Sequence, residues 1–439
     1  MHLSTPLPDM GLPERRDART FSRAMLLKGG AVSAEGSNLV TGIVDDVISP
    51  YQSAQGQLRP TMVAKCRAAT NAFLADLLFA AQSGRWSKLQ TGTNALTGLP
   101  GGATAFRTMR AAMGAQGLLE ELPGYRKAPQ VRFGREFTQS AKQAFRPTGK
   151  LLAMAEAHGV PLASCTGHFA LGTLKAPASA QVIEARATVP KGSPPRRLTV
   201  DLADPKAAEI VASMGRLNAH LLEPGRIEGI AFAGLRRVFL KADRPDCAWQ
   251  WHGRYYSMPE ADAYELMEGG AATRARVVRI DGEAVTAVDI GASHLTLLHG
   301  LLGLPFDETR DPYGIEGADR DAVKQWLLYA LGSSDPAAGG QKHNRVRAAM
   351  LDRYPFLVDL PSLGIGPLDL QYHEAEIMRL AMEALAAKGI GFLPVHDELM
   401  VAKGNGETAK DALRGAFRRY FKEHLGLEAA PVPRLSVAL

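Results

Sequence analysis

The chain has 439 residues, which at roughly 100–200 residues per domain predicts two to four domains. Apolar residues make up 46% and charged residues 22%, a globular balance that excludes collagen-like, low-complexity and wholly disordered chains. Lys and Arg number 51 against 45 Asp and Glu, a net charge of +6 that is unevenly spread.

Thirteen of the basic and four of the acidic residues lie between Thr61 and Lys150, so this block carries +9 and the rest about −3. Such a block points to a polyanion, most simply nucleic acid; the bland reading is a solvated basic surface. No run approaches ~18 uninterrupted apolar residues, so no membrane partner is expected. Met1 to Arg16 carries Pro and mixed charge without an apolar core, so a signal peptide is not expected. Cys66, Cys165 and Cys247 lie far apart with no CxxC. That spacing argues against a disulfide framework or zinc ribbon and fits the cytoplasm.

Residues 1–59 hold few long apolar patterns and read as an extended arm. A helix is expected from Pro60 to about Gln82, with the proline in the first turn where it is tolerated. After a Gly-rich stretch, a second helix is expected over roughly Thr104–Leu122, and a strand around Val131–Phe137. A third helix is expected from Arg146 to Ala157. Helices followed by a basic hairpin and a short helix suggest a winged helix-turn-helix over residues 60–158. Arg107, Arg110, Arg126, Lys127, Arg132, Arg135 and Arg146 would then meet phosphates, while Tyr125, Phe133 and Phe137 form the wing core. Farther on, Arg197–Leu202 reads as a strand and Pro205–Leu222 as a helix.

Three later segments carry chemistry. Val285 to Asp289 is a short alternating strand with an acid at its end, followed by a helix that Gly303 stops. Strand ends display carboxylates rigidly. Arg320 to Leu331 is a helix that Asp319 caps and Gly332 stops. Its Arg320 and Lys324 stand one turn apart, so both can reach one polyanionic ligand such as a triphosphate. Gly391 to Val401 reads as a tight hairpin tipped by His396, Asp397 and Glu398. Polar residues at such a tip become sensible if a cation sits there. Two acids and a paired-cation helix suit nucleotidyl transfer with Mg²⁺ or Mn²⁺.

These segments resemble the polymerase motifs of family A DNA polymerases over roughly the last 190 residues. VDIGASHL, with Asp289, is similar to motif A. Arg320 and Lys324 match motif B, and Val395-His-Asp-Glu398 is identical to motif C. Gln371, leading to Glu376-Ile-Met-Arg-Leu-Ala-Met382, resembles the helix before motif C, and Gly253-Arg254 the pair before motif A. The resemblance implies an α+β right-hand architecture with a reduced thumb. Its parts would be an arm over 1–59, the basic domain over 60–158 and a thumb-like region over 159–252. Palm would follow over 253–310, reduced fingers over 311–367 and palm again over 368–439. It implies that Asp289 and Asp397 hold two metal ions and that Glu398 supports the site. Arg320 and Lys324 would bind deoxynucleoside triphosphate, and Arg254, Gln371 and His396 would contact primed DNA in the minor groove.

The sequence also departs from the family. His294 stands where a Glu guards the sugar, so a polymerase making RNA or primers remains open. Leu328 stands where the family has an aromatic residue, with Trp326 or Tyr329 as substitutes. No acid cluster before Arg254 suits a proofreading exonuclease. A DNA-binding protein with a degenerate palm is the third reading.

Overall fold

The computed structural model describes residues 22–54, 59–89, 96, 98–126, 130–132, 135–137, 140–171, 182–190, 193–258, 263–267, 270–337, 344–427 and 430–438. The fold is mixed α+β with open sheets. The chain divides into two units: residues 1–175, 229–231 and 259–277, and residues 176–228, 232–258 and 278–439.

The first unit is built on one long helix. Strand β1 (Ser22–Ala24) precedes α1 (Ala34–Gly42), which Ser33 caps through its side chain. The helix continues as a π-helical stretch over Ile43–Ile48 and a further turn over Ser49–Ser53. The arm expected over residues 1–59 is therefore helical from 34 to 53, because Leu39, Val40, Ile43, Val44, Val47 and Ile48 bury in the unit's core. That stripe is too short to show as a long pattern. Helix α2 (Pro60–Gln82) starts and ends where expected. It buries Phe73, which meets Phe106 and Phe145 edge to face.

Next come β2 (Trp86–Leu89), α3 (Gly102–Ala115), β3 (Leu119–Leu122), β4 (Gln143–Pro147) and α4 (Gly149–Ala157). The sheet order is β1-β2-β4-β3. Two expectations change here. The second helix ends at Ala115 and residues 119–122 pair as a strand, the tight turn at Gly117 separating them. Arg146 lies in β4, not at a helix start, because Thr148 caps α4. Its guanidinium is 2.6 Å from Glu120 and stacks on Trp86. Arg110 likewise has Glu121 at 3.6 Å and donates to Gln143, while Arg107 is exposed on α3. Thus two of the expected phosphate contacts already have acidic neighbours. Arg126, Arg132 and Arg135 lie in short strands, the last two in a two-stranded hairpin. Lys127 and Phe133 lie outside the described residues.

In the second unit, β5 (Ile183–Arg186), β6 (Arg197–Leu198), β7 (Leu235–Phe239) and β8 (His252–Ser257) form a sheet of order β6-β5-β7-β8. Helix α5 (Pro205–Leu221) contacts it. A second sheet is centred on β9 (Glu283–Gly291). Its neighbours are β11 (Glu398–Ala402) on one edge and β12 (Arg434–Ala438) on the other, with β10 (Phe392–Val395) beyond β11. The helices are α6 (Ser293–Leu301), α7 (Arg320–Ser333), α8 (Asn344–Arg353), α9 (Pro367–Ala386) and α10 (Gly406–Leu425). Gly300 lets α6 approach α10: a Cβ there would stand 2.2 Å from the Phe421 ring.

An ionic chain with a buried first pair ties α9 to the first of these sheets. Arg237, only 2% exposed, pairs with Glu376 at 2.8 Å and donates to the Gly253 carbonyl at 2.8 Å. Its guanidinium also lies against the Phe239 and Tyr255 rings. Glu376 continues to Arg379 at 3.0 Å, and Arg379 to Glu383 at 2.9 Å. Gly253 has a positive φ, and a Cβ there would meet Arg237 at 2.7 Å, so glycine is required beside this guanidinium. Removing one member of a buried pair leaves an uncompensated charge. Arg237→Ala should therefore cost about 3 kcal/mol in chemical denaturation. A loss below about 1 kcal/mol would show that the pair does not anchor α9.

Candidate functional site

The antiparallel ladder itself assembles the site. Strands β9 and β11 pair in a register that sets Asp289 opposite Glu398. Strands β10 and β11 join through a two-residue tip, His396–Asp397, with Val395 opposite Glu398. The Ile290 amide donates to the Asp397 carbonyl at 3.1 Å. The two expected acids thus come from segments more than a hundred residues apart and arrive at the same sheet end.

Their titration reflects this crowding. The Asp289 carboxyl is raised above its ordinary range, first by burial and then by the charges of Asp397 and Glu398, with Lys324 opposing. Asp397 is also raised, first by burial and then by Glu374, with Arg254 and His294 opposing. Two non-glycine residues in the left-handed region flank the acids, Ala292 and His396. Strain of this kind persists only where surrounding structure imposes it.

A cleft of about 750 Å³ opens over these acids. Arg254, Asp289, His294, Arg320, Lys324, Gln371, His396 and Asp397 all line it. Glu398 is half-buried beside Asp289 and is not part of the lining. Lys324 is exposed on α7 and has no hydrogen bond or ion pair among the described residues. Arg320 differs from expectation: it is held by Asp311 at 2.7 Å and lies over the Tyr313 ring. A phosphate reaching Arg320 would compete with that carboxylate. Leu328 faces the cleft and is 62% exposed. Trp326 is fully buried and cannot take its place, and Tyr329, though exposed, is not in the lining.

The opposite wall comes from β8, α6 and α9. His252 Nδ1 donates to Gln371 Oε1 at 2.6 Å, and His252 Nε2 meets the Tyr256 hydroxyl at 3.0 Å. Tyr256 in turn stands edge-on to His396. Burial pushes both His252 and His294 down to about 4, so both rings are neutral near pH 7. Glu374 joins Arg254, Ser293 and His294 in this wall. Sequence reasoning missed Glu374, Asp311, His252 and the cleft-lining Arg434. Only Glu374 left a signal, standing one helical turn after Gln371 and so on the same face.

Among the described residues, no group of three or more His, Cys, Asp and Glu is placed to cage a metal ion. Two carboxylate donors nevertheless suit Mg²⁺, which keeps water and substrate oxygens as its remaining ligands. No family model matches the chain, and no curated protein is similar to it.

The raised carboxylates give a test that needs no substrate. Above their raised pKa both groups are ionised, and burial first, then neighbouring carboxylates, makes those charges lower stability; below it they protonate and the penalty disappears. Asp289→Asn and Asp397→Asn should therefore melt higher than the parent at pH 7. The difference should close as pH falls toward the ordinary carboxylate value of 3.8. Mg²⁺ should raise the Tm of the parent and not that of the double variant. Equal melting at pH 7 would contradict the crowding of charge.

Proposed function

We propose that this chain is a template-directed nucleotidyltransferase of the family A polymerase type, extending primed DNA with deoxynucleoside triphosphates. The observation that carries the reading is the arrival of Asp289, Asp397, Lys324, Arg254 and Gln371 in one cleft. Composition and spacing alone made each a separate, weak signal. In this reading the second unit supplies the palm and reduced fingers. The basic first unit supplies sequence-independent attraction for the phosphate backbone.

Asp289 and Asp397 would hold Mg²⁺, which activates the attacking hydroxyl and neutralises charge on the phosphates when bound. Lys324 presents a mobile ammonium to the triphosphate on the side facing Asp289. Arg320 joins it once Asp311 is displaced. Arg254, Gln371 and His396 line the wall where the duplex end would lie; minor-groove acceptors let them test pair shape without reading sequence. Leu328 offers the new base an apolar surface in place of an aromatic ring.

One observation favours a variant of this reading. The residue five after Asp289 is His294, a neutral ring held against the wall, and not a free carboxylate. A polymerase that accepts ribonucleotides and makes primers is the second reading.

Primer extension tests both. Asp289→Asn or Asp397→Asn should lower extension by about 10³-fold or more, with duplex binding near normal. Retained extension in both variants would overturn the assignment. Lys324→Ala should raise the nucleotide KM about tenfold, the worth of a charge-assisted contact. Strong discrimination against ribonucleotides would remove the primer-making reading.

A further inference from the structure

Glu374 is a buried carboxylate in the cleft wall and has no part in the reaction as proposed. It is 2% exposed, and burying a carboxylate is tolerated only with partners. Both of its oxygens are engaged. Oε1 accepts from Arg254 Nε at 2.9 Å and from Nη2 at 2.5 Å. Oε2 accepts from the Ser293 hydroxyl at 2.8 Å and has His294 Nε2 at 3.5 Å. One carboxylate on α9 therefore gathers β8 and the first turn of α6.

This gathering is not needed to dock α9. The Arg237–Glu376 pair already ties that helix to the strands carrying Gly253. What Glu374 adds is orientation. Two N–H donors of the Arg254 fork are fixed on one oxygen, which leaves three, two on Nη1 and one on Nη2, directed by the pair. Ser293 stands immediately before His294, so its bond to the same carboxylate fixes the backbone that carries the imidazole. A preorganised group loses less freedom when its ligand arrives.

We propose that Glu374 is a positioning residue, holding the Arg254 fork in fixed orientation on the cleft wall beside Asp397 so that a primed duplex end meets it already aligned. The inference rests on the polymerase reading of the same cleft. Glu374 is assigned no contact with metal or substrate.

The test combines duplex binding with extension, using the full chain. Fluorescence anisotropy with a labelled primed duplex measures affinity for the parent, Glu374→Gln, Arg254→Ala and the double variant. Glu374→Gln should weaken binding about tenfold, as loss of an orienting partner does. The double variant should bind no more weakly than Arg254→Ala alone, since the two act as one unit. In extension, the duplex KM should rise while the Mg²⁺ midpoint stays within twofold. Multiplicative losses in the double variant would overturn the proposal. A raised Mg²⁺ midpoint would also overturn it, making Glu374 a metal ligand. Should Glu374→Gln misfold, Glu374→Asp keeps the charge and shortens its reach; parental behaviour there would overturn the proposal equally. A parent that binds duplex in this pattern but never extends it would refute the polymerase reading and leave the positioning role standing.

Discussion

The second unit is organised around an electrostatic conflict. Backbone pairing places Asp289 opposite Glu398 and fastens the Asp397 tip to the same strand end. The ladder hydrogen bonds fix these positions whatever the side chains prefer. Like charges close together in a partly dry cleft resist ionisation, and both acids show it. In the polymerase reading proposed above, a cation from outside would neutralise these charges. The surroundings agree, since Lys324 opposes Asp289's shift and Arg254 opposes that of Asp397 without pairing with either acid.

The rest of the unit holds this arrangement still. Arg237, Glu376, Arg379 and Glu383 form an ionic chain from the sheet into α9, buried at Arg237 and Glu376 and half-buried beyond, and its members balance one another's charge. That chain fixes the helix that presents Gln371 and Glu374 to the cleft. Gly253 and Gly300 permit the close approaches this packing demands. Arg320 and Asp311 show the same economy at the cleft's mouth, where the cation expected to meet phosphate rests on a carboxylate. Such a pair keeps an exposed cation oriented, and an arriving polyphosphate would have to replace it.

Much of this was legible because it obeys short-range rules. The His396–Asp397 tip lies between two apolar runs, and alternation alone marks the hairpin. Asp319 caps α7 as expected, though the helix runs past Gly332 to Ser333 and ends at left-handed Ser334, and Pro60 marks the start of α2. What could not be read was long-range. Glu374 is one acid among several on α9, and nothing local says that it faces Arg254, 120 residues upstream. Asp311 is an ordinary loop acid until folding brings it to Arg320. The helix expected from Arg146 starts three residues later, at Gly149, because Thr148 is its cap and Arg146 pairs in the strand before it. The helix at residues 34–53 was hidden by its length, since its apolar stripe is short and its middle is π-helical.

The central claim is that Asp289 and Asp397 share divalent ions. Anomalous scattering from crystals grown with Mn²⁺, a primed duplex and a non-hydrolysable deoxynucleoside triphosphate measures this directly. The account predicts manganese peaks bridging the two carboxylates, with oxygens about 2.1 Å away and phosphate oxygens completing the shell. Manganese bound elsewhere, or peaks that survive unchanged in the Asp289→Asn, Asp397→Asn double variant, would contradict it.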